Sequence, residues 1–250
     1  MNVNRDKIVL SLYDYTGEAL KPWAEAGYSC LAFDIQHDNT VTEVYGSGGG
    51  ISYVHADLHD PQTHREIFMK YNGKRVTFGM AFPVCTDLAV SGAAHFKSKE
   101  GANPGFQDVA AQHAKDCADL FDDIGCPYFV ENPVSVLATK WRKPDHSFHP
   151  YEYGGYIPDR EAEHPVWPEY IAPKDAYPKK TCLWTGNGFR MPFKHGVEPE
   201  EGHSRQHLKL GGKSQKTKNI RSATPRGFAR AVWATHNITV KGNIRRQTND

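Results

Sequence analysis

The chain carries no C-x-x-C pair, no H-E-x-x-H helix and no G-x-G-x-x-G turn. No apolar run approaches the roughly 18 residues that a membrane span needs. The five cysteines (Cys30, Cys85, Cys117, Cys126 and Cys182) are odd in number and scattered. That argues against a disulfide framework and against a zinc site built on cysteine. Thirteen histidines are present, but "HSRQH" (His203, His207) is a lone i, i+4 pair in a polar stretch, so no metal is expected. The stretch "MNVNRDKIVLSLYDY" has too short an apolar run for a signal peptide, and acidic residues interrupt it. These absences set the expectation of a cytoplasmic protein with no membrane partner.

What is present is ordinary for a soluble globular chain: 250 residues, 39% apolar and 24% charged. That length suits one large α/β domain, or one domain with a small appendage. The formal net charge of +1 hides a split, with −10 over residues 1–173 and +11 over residues 174–250. Such asymmetry fits a polyanionic partner, and equally fits two halves of one fold that neutralise each other.

"KIVLSLY" (7–13), "SCLAFDI" (29–35), "ISYVHADL" (51–58), "RVTFGMAF" (75–82) and "CPYFVENPVSVL" (126–137) read as strands, the last ending near Glu131. Between them, apolar spacing predicts a short helix from Gly17 to Gly27. A second helix over 60–71 has Asp60 as N-cap and Pro61 behind it, and a third over 107–125 is closed by Gly125. Residues 38–50 read as a flexible loop and 83–106 as a long loop or broken helix. Strand alternating with helix argues an α/β fold with a doubly wound, mostly parallel sheet. Three parts follow: a catalytic, cofactor-binding core over 1–140, a small irregular proline- and aromatic-rich insertion over 141–180, and a basic part over 181–250 that returns to the core. Within that part, 179–189 reads as a strand and turn, 194–220 as a mobile basic stretch, and 224–237 as a helix capped by Thr224.

In such sheets ligands sit at the carboxyl ends of the strands. Those ends hold Asp14–Gly17, Asp34, Asp57, Pro83–Cys85 and Glu131–Asn132, so every polar candidate falls on one edge. The two oxygens of Asp34 match a ribose diol, with a solvated loop aspartate as the plain alternative. Gly17 lets backbone approach a ligand closely, and the missing G-x-G-x-x-G favours a nucleoside without a pyrophosphate. Cys85 alone is more often a packed thiol than a nucleophile. Glu131 at a neighbouring strand end reverses that weighting, because a thiolate and a glutamic acid then face one ligand.

The residues resemble the C5-cytosine DNA methyltransferases. "FPVCT" looks like their catalytic cysteine loop and "VENPV" like their glutamate-asparagine motif. "YDYTG", "FDIQ" and "HADL" are similar to their cofactor-side strand ends. "KKTCLW" and "RSATPRGFARAVW" look like the later strand and terminal motif of the compact, phage-encoded branch. The resemblance covers roughly residues 8–140 and 179–235, and implies a Rossmann-like S-adenosylmethionine-dependent methyltransferase fold. It implies that Cys85 attacks C6 of the pyrimidine and that Glu131 holds or protonates N3, with Pro83 and Asn132 beside the base. Tyr15, Thr16 and Gly17 would hold the methionine end of S-adenosylmethionine. Asp34 would take its ribose, Ile35, Asp57 and Leu58 its adenine, and Ser222 would close the site. The implied partner is DNA, with the base flipped out if the substrate is duplex. Val84 stands where that family usually has a second proline, Glu18 follows a lone glycine, and no full target-recognition domain is present. Two alternatives follow from these departures. One is the same chemistry on a free pyrimidine nucleotide or with another donor, and the other is a non-catalytic relative that binds DNA or cofactor.

Overall fold

In the computed structural model, residues 4–38, 41–212 and 214–237 are described; the rest of the basic C-terminal part, 238–250, lies outside the described residues. Strands β1 (Ile8–Leu12), β2 (Ser29–Asp34), β3 (Thr42–Val44), β4 (Gly50–His55), β5 (Val76–Ala81), β6 (Tyr128–Pro133), β7 (His146–Phe148) and β8 (Thr181–Gly186) form one sheet, in the order β3-β4-β2-β1-β5-β6-β8-β7. β4, β2, β1, β5 and β6 run parallel, and β3, β8 and β7 join antiparallel. In their own chain order the five parallel strands read 3-2-1-4-5, as in dinucleotide-binding sheets. The order reverses between β1 and β5, where Leu12 pairs with Ala81.

The helices are α1 (Lys21–Glu25), α2 (Pro61–Tyr71), α3 (Phe96–Ala102), α4 (Phe106–Ile124), α5 (Leu137–Lys140), α6 (Arg205–Lys209), α7 (Gln215–Ser222) and α8 (Arg226–His236). Alternate strand residues feed two apolar layers, as the period of a strand dictates. Leu10, Leu12, Phe33, Tyr128 and Val130 meet Ile67 and Tyr71 of α2 and Ala114, Cys117 and Phe121 of α4. Val9, Cys30, Ala32, Phe78 and Phe129 meet Trp23 of α1 and Phe228 and Val232 of α8. The mixed α/β class with a mostly parallel sheet is therefore as expected, with helices on both faces.

Local chemistry explains the boundaries. Asp60 accepts from the Gln62 amide at 2.9 Å and Pro61 opens α2. Gly125, at φ 78°, closes α4. Four segments differ from expectation. α1 begins only at Lys21, with Pro22 in its first turn, where a proline is tolerated. Part of the 38–50 loop is β3, an edge strand whose three residues are all exposed, so it carries no apolar alternation. The 194–220 stretch contains α6 and α7. α7 is capped by Ser214, which accepts from Thr217, and it buries only Thr217 and Ile220. α8 starts at Arg226 with Pro225 as its cap residue, while Thr224 is buried and caps nothing.

Candidate functional site

β5 delivers the chain to the carboxyl edge, and Phe82 donates its amide to the Leu12 carbonyl at 3.0 Å beside the switch point. Pro83 is buried, Val84 is 51% exposed and Cys85 is exposed. The Cys85 carbonyl accepts from the Leu88 and Ala89 amides at 3.0 and 2.9 Å, which folds the chain back in a turn. β6 delivers Glu131 and Asn132 next door. Asn132, 1% exposed, donates its side-chain amide to the Pro83 carbonyl at 3.1 Å. Two further bonds join the loops, Val90 N–H to Val134 O at 3.1 Å and Val136 N–H to Leu88 O at 3.0 Å. The thiol loop is thus sewn to the strand that carries the carboxyl. Pro83 makes the brace through its carbonyl, while Val84 points its exposure to solvent.

Glu131 lies on the same face as Phe129 and lines a narrow recess with Phe82, Lys179, Thr181, Ser222 and Phe228. Its volume is about 10 Å³, room for a single water. Burial raises the Glu131 carboxyl above its ordinary range, and Lys179 pulls partly back. Burial also raises the Cys85 thiol; Glu131 adds to that shift, and Lys179 and backbone amides oppose it. Lys179 is held in place by a 2.8 Å bond to the Arg221 carbonyl. The sequence reading missed this lysine. Its only signal was a basic residue just before strand β8, one of many in that part of the chain.

The turn after β1 is organised by Asp14. Its carboxylate accepts from Ser11 Oγ at 2.7 Å and from the Gly17 amide at 2.8 Å. Gly17 sits at φ 67°, and a Cβ there would stand 2.6 Å from the Tyr53 hydroxyl. Tyr15 stacks on His37 at 5.7 Å. Tyr15, Thr16, Glu18, Gln36, His37 and Tyr53 line an open cleft of about 430 Å³.

The remaining predicted residues lie apart from that cleft. Asp34 is 8% exposed and accepts from the Gln36 amide at 2.9 Å, and Ile35 is exposed. Asp57 is exposed and accepts from the His59 amide at 3.0 Å. The Leu58 side chain is in the core, and its carbonyl accepts from the Tyr13 hydroxyl at 2.9 Å. The structure therefore brings Glu131 and Ser222 to one recess, with Cys85 in electrostatic reach. It brings Tyr15 and Thr16 to a second cleft, and leaves Ile35, Asp57 and Leu58 out of both.

The 430 Å³ cleft suits a cationic, phosphate-free nucleoside. Glu18, Asp38 and Glu43 outnumber Lys21 on its walls, and the Tyr15–His37 stack offers an aromatic surface. The buried Glu18 Oε2 has no partner among the described residues, so an acceptor there is free for a cation. A pyrophosphate would meet repulsion in the same place.

Fold and site together define an open α/β protein with a thiol–carboxylic acid pair beside its switch point. No protein-family model matches the chain, and no curated protein matches it. Among solved structures it is similar to an Escherichia coli protein described as a "putative DNA modification methyltransferase encoded within prophage". The identity is 11% and the TM-score 0.40, over 72% of this chain and 46% of that one. The chain thus spans less than half of that protein, and a likeness at this level carries no argument.

Proposed function

We propose that the protein is an S-adenosylmethionine-dependent methyltransferase acting on C5 of cytosine in DNA, on a doubly wound, Rossmann-like sheet. One observation carries the reading: an exposed cysteine and a desolvated glutamic acid stand on adjacent parallel strand ends, joined by the Asn132–Pro83 bond. The sequence motifs around both residues support it.

In this reading the Cys85 sulfur, as thiolate, bonds to C6 of the base. Glu131, kept protonated by burial, donates its proton to N3 as the ring takes up charge. Lys179 offsets the negative charge of the thiolate. When bound in the cleft of Tyr15, Thr16 and Glu18, S-adenosylmethionine supplies an electrophilic methyl group. C5 accepts that methyl, then loses its proton to a water, and the C6–sulfur bond breaks to release Cys85. Because the recess holds one water, a ring beside Glu131 requires the 222–225 segment to move outward.

The test is mass spectrometry of nucleosides from DNA of cells that express the protein. 5-Methylcytosine is expected with the native chain and none with Cys85→Ala. Persistence of the mark in Cys85→Ala rules out the mechanism. The narrow recess also accommodates the free-nucleotide reading, which predicts methylated dCMP and unmodified DNA.

A further inference from the structure

A second cleft, of about 490 Å³, opens between α1, the start of α8 and the 160–165 segment. Glu18, Lys21 and Arg226 all line it. Glu18 is 3% exposed. Its Oε1 takes Lys21 Nζ at 2.7 Å, and its Oε2 is buried with no partner among the described residues. Arg226 is fixed by two bonds from Nη2, to the Ala162 and Glu163 carbonyls at 2.9 and 3.0 Å. Its Nε is likewise buried and without a partner among the described residues. A buried charged group left unsatisfied costs more than a neutral one, so such atoms are seldom left idle. Here one orphan is an anionic acceptor and the other a cationic donor, and they do not bond to each other.

We propose that this cleft binds the zwitterionic α-amino acid head of a ligand. Its ammonium meets Glu18 Oε2 and its carboxylate meets Arg226 Nε, with Lys21 alongside. One group carrying both charges satisfies both orphans, which neither a simple cation nor a simple anion does. The placement also identifies what the head is attached to. Glu18 and Lys21 continue into the cleft of Tyr15, Thr16 and His37, the nucleoside-sized one. Pro225, next to Arg226, lines the recess of Glu131. The ligand class is therefore a nucleoside-linked amino acid spanning both clefts. This inference rests on the methyl-donor reading above and assigns two residues that the motifs do not mark.

The experiment is calorimetry on the full chain with S-adenosylhomocysteine and with 5′-methylthioadenosine, which shares the nucleoside and lacks the amino acid head. The native protein is expected to prefer S-adenosylhomocysteine by about 100-fold, as two charged hydrogen bonds allow. Glu18→Gln and Arg226→Lys should each weaken S-adenosylhomocysteine about 10-fold or more and leave 5′-methylthioadenosine unchanged. Urea midpoints check that both variants fold. Equal affinity of the native protein for the two ligands means that the orphans are served by water, and overturns this inference alone. Binding of neither ligand overturns the methyl-donor reading with it. The native comparison decides the matter even if a variant fails to fold.

Discussion

Cys85 is under opposing influences. Burial and the Glu131 carboxylate hold its thiol protonated, and Lys179 with the backbone amides of its turn favours the thiolate. Glu131 is itself pushed toward its neutral form, and a neutral Glu131 no longer opposes the thiolate. Alkylation by iodoacetamide reads this balance without any substrate, because the thiolate is the reacting species. The other four cysteines are buried, so the signal belongs to Cys85. Between about pH 6 and 9, Glu131→Gln should react faster than the native chain and Lys179→Met more slowly. The reverse order would place neither group close enough to act. Cys85 and Glu131 were legible in the sequence because each follows an apolar run whose end is visible. Lys179 was not, because only the β6–β8 pairing brings it to Glu131 from far along the chain.

At the level of elements, α8 is docked through bare backbone. A Cβ on Gly227 would stand 2.4 Å from the Tyr153 carbonyl oxygen, and the Gly227 amide donates to Asp175 at 2.9 Å. Phe228 then stacks on Phe148 with ring centres 4.0 Å apart. Backbone cannot swing aside as a side chain can, so Gly227→Ala should cost about 1–3 kcal/mol through displacement of the helix start. Gly101 in α3 has nothing within 4 Å of its added Cβ, and Gly101→Ala should gain up to about 1 kcal/mol from helix propensity. Urea midpoints of the two variants should move in opposite directions. The same contrast explains what the sequence revealed of the fold. α2 and α4 show apolar faces and terminal signals, so both were legible. α7 and β3 bury almost nothing of their own and are held by neighbours, which leaves no periodicity to read. The docking of α8 on residues 150–156 depends on two glycines that look like loop residues in the sequence.

Across the whole molecule, the charge split is partly neutralised within the fold. Lys194 pairs with Glu152 at 2.7 Å, Arg230 pairs with Glu161, and Lys174 pairs with Asp159. Among the described residues, Lys180 and Lys218 pair with no carboxylate, which leaves positive charge close to Lys179 and Ser222. The 159–175 segment also holds two buried titrating groups that work against each other. Burial raises Asp175 from 3.8 to about 6, and burial with Arg226 and Lys21 nearby lowers His164 from 6.5 to about 4. Between about pH 4 and 6 the folded protein holds a proton on Asp175 that the unfolded chain has lost, so this contribution to stability falls as pH rises. Over the same range the folded protein lacks a proton on His164 that the unfolded chain carries, so that contribution grows as pH rises. Each shift is worth about 3 kcal/mol, and the two nearly cancel. Asp175→Asn removes the falling contribution, so relative to the native chain its stability should climb by about 3 kcal/mol from pH 4 to 6. His164 accepts from the Val166 and Trp167 amides through Nδ1, a role an amide oxygen can take. His164→Asn should therefore fold, and its stability should drop by a similar amount over that range. Urea midpoints at several pH values check both. Parallel curves for Asp175→Asn and the native protein would show that the Asp175 carboxyl titrates alike in the folded and unfolded chain.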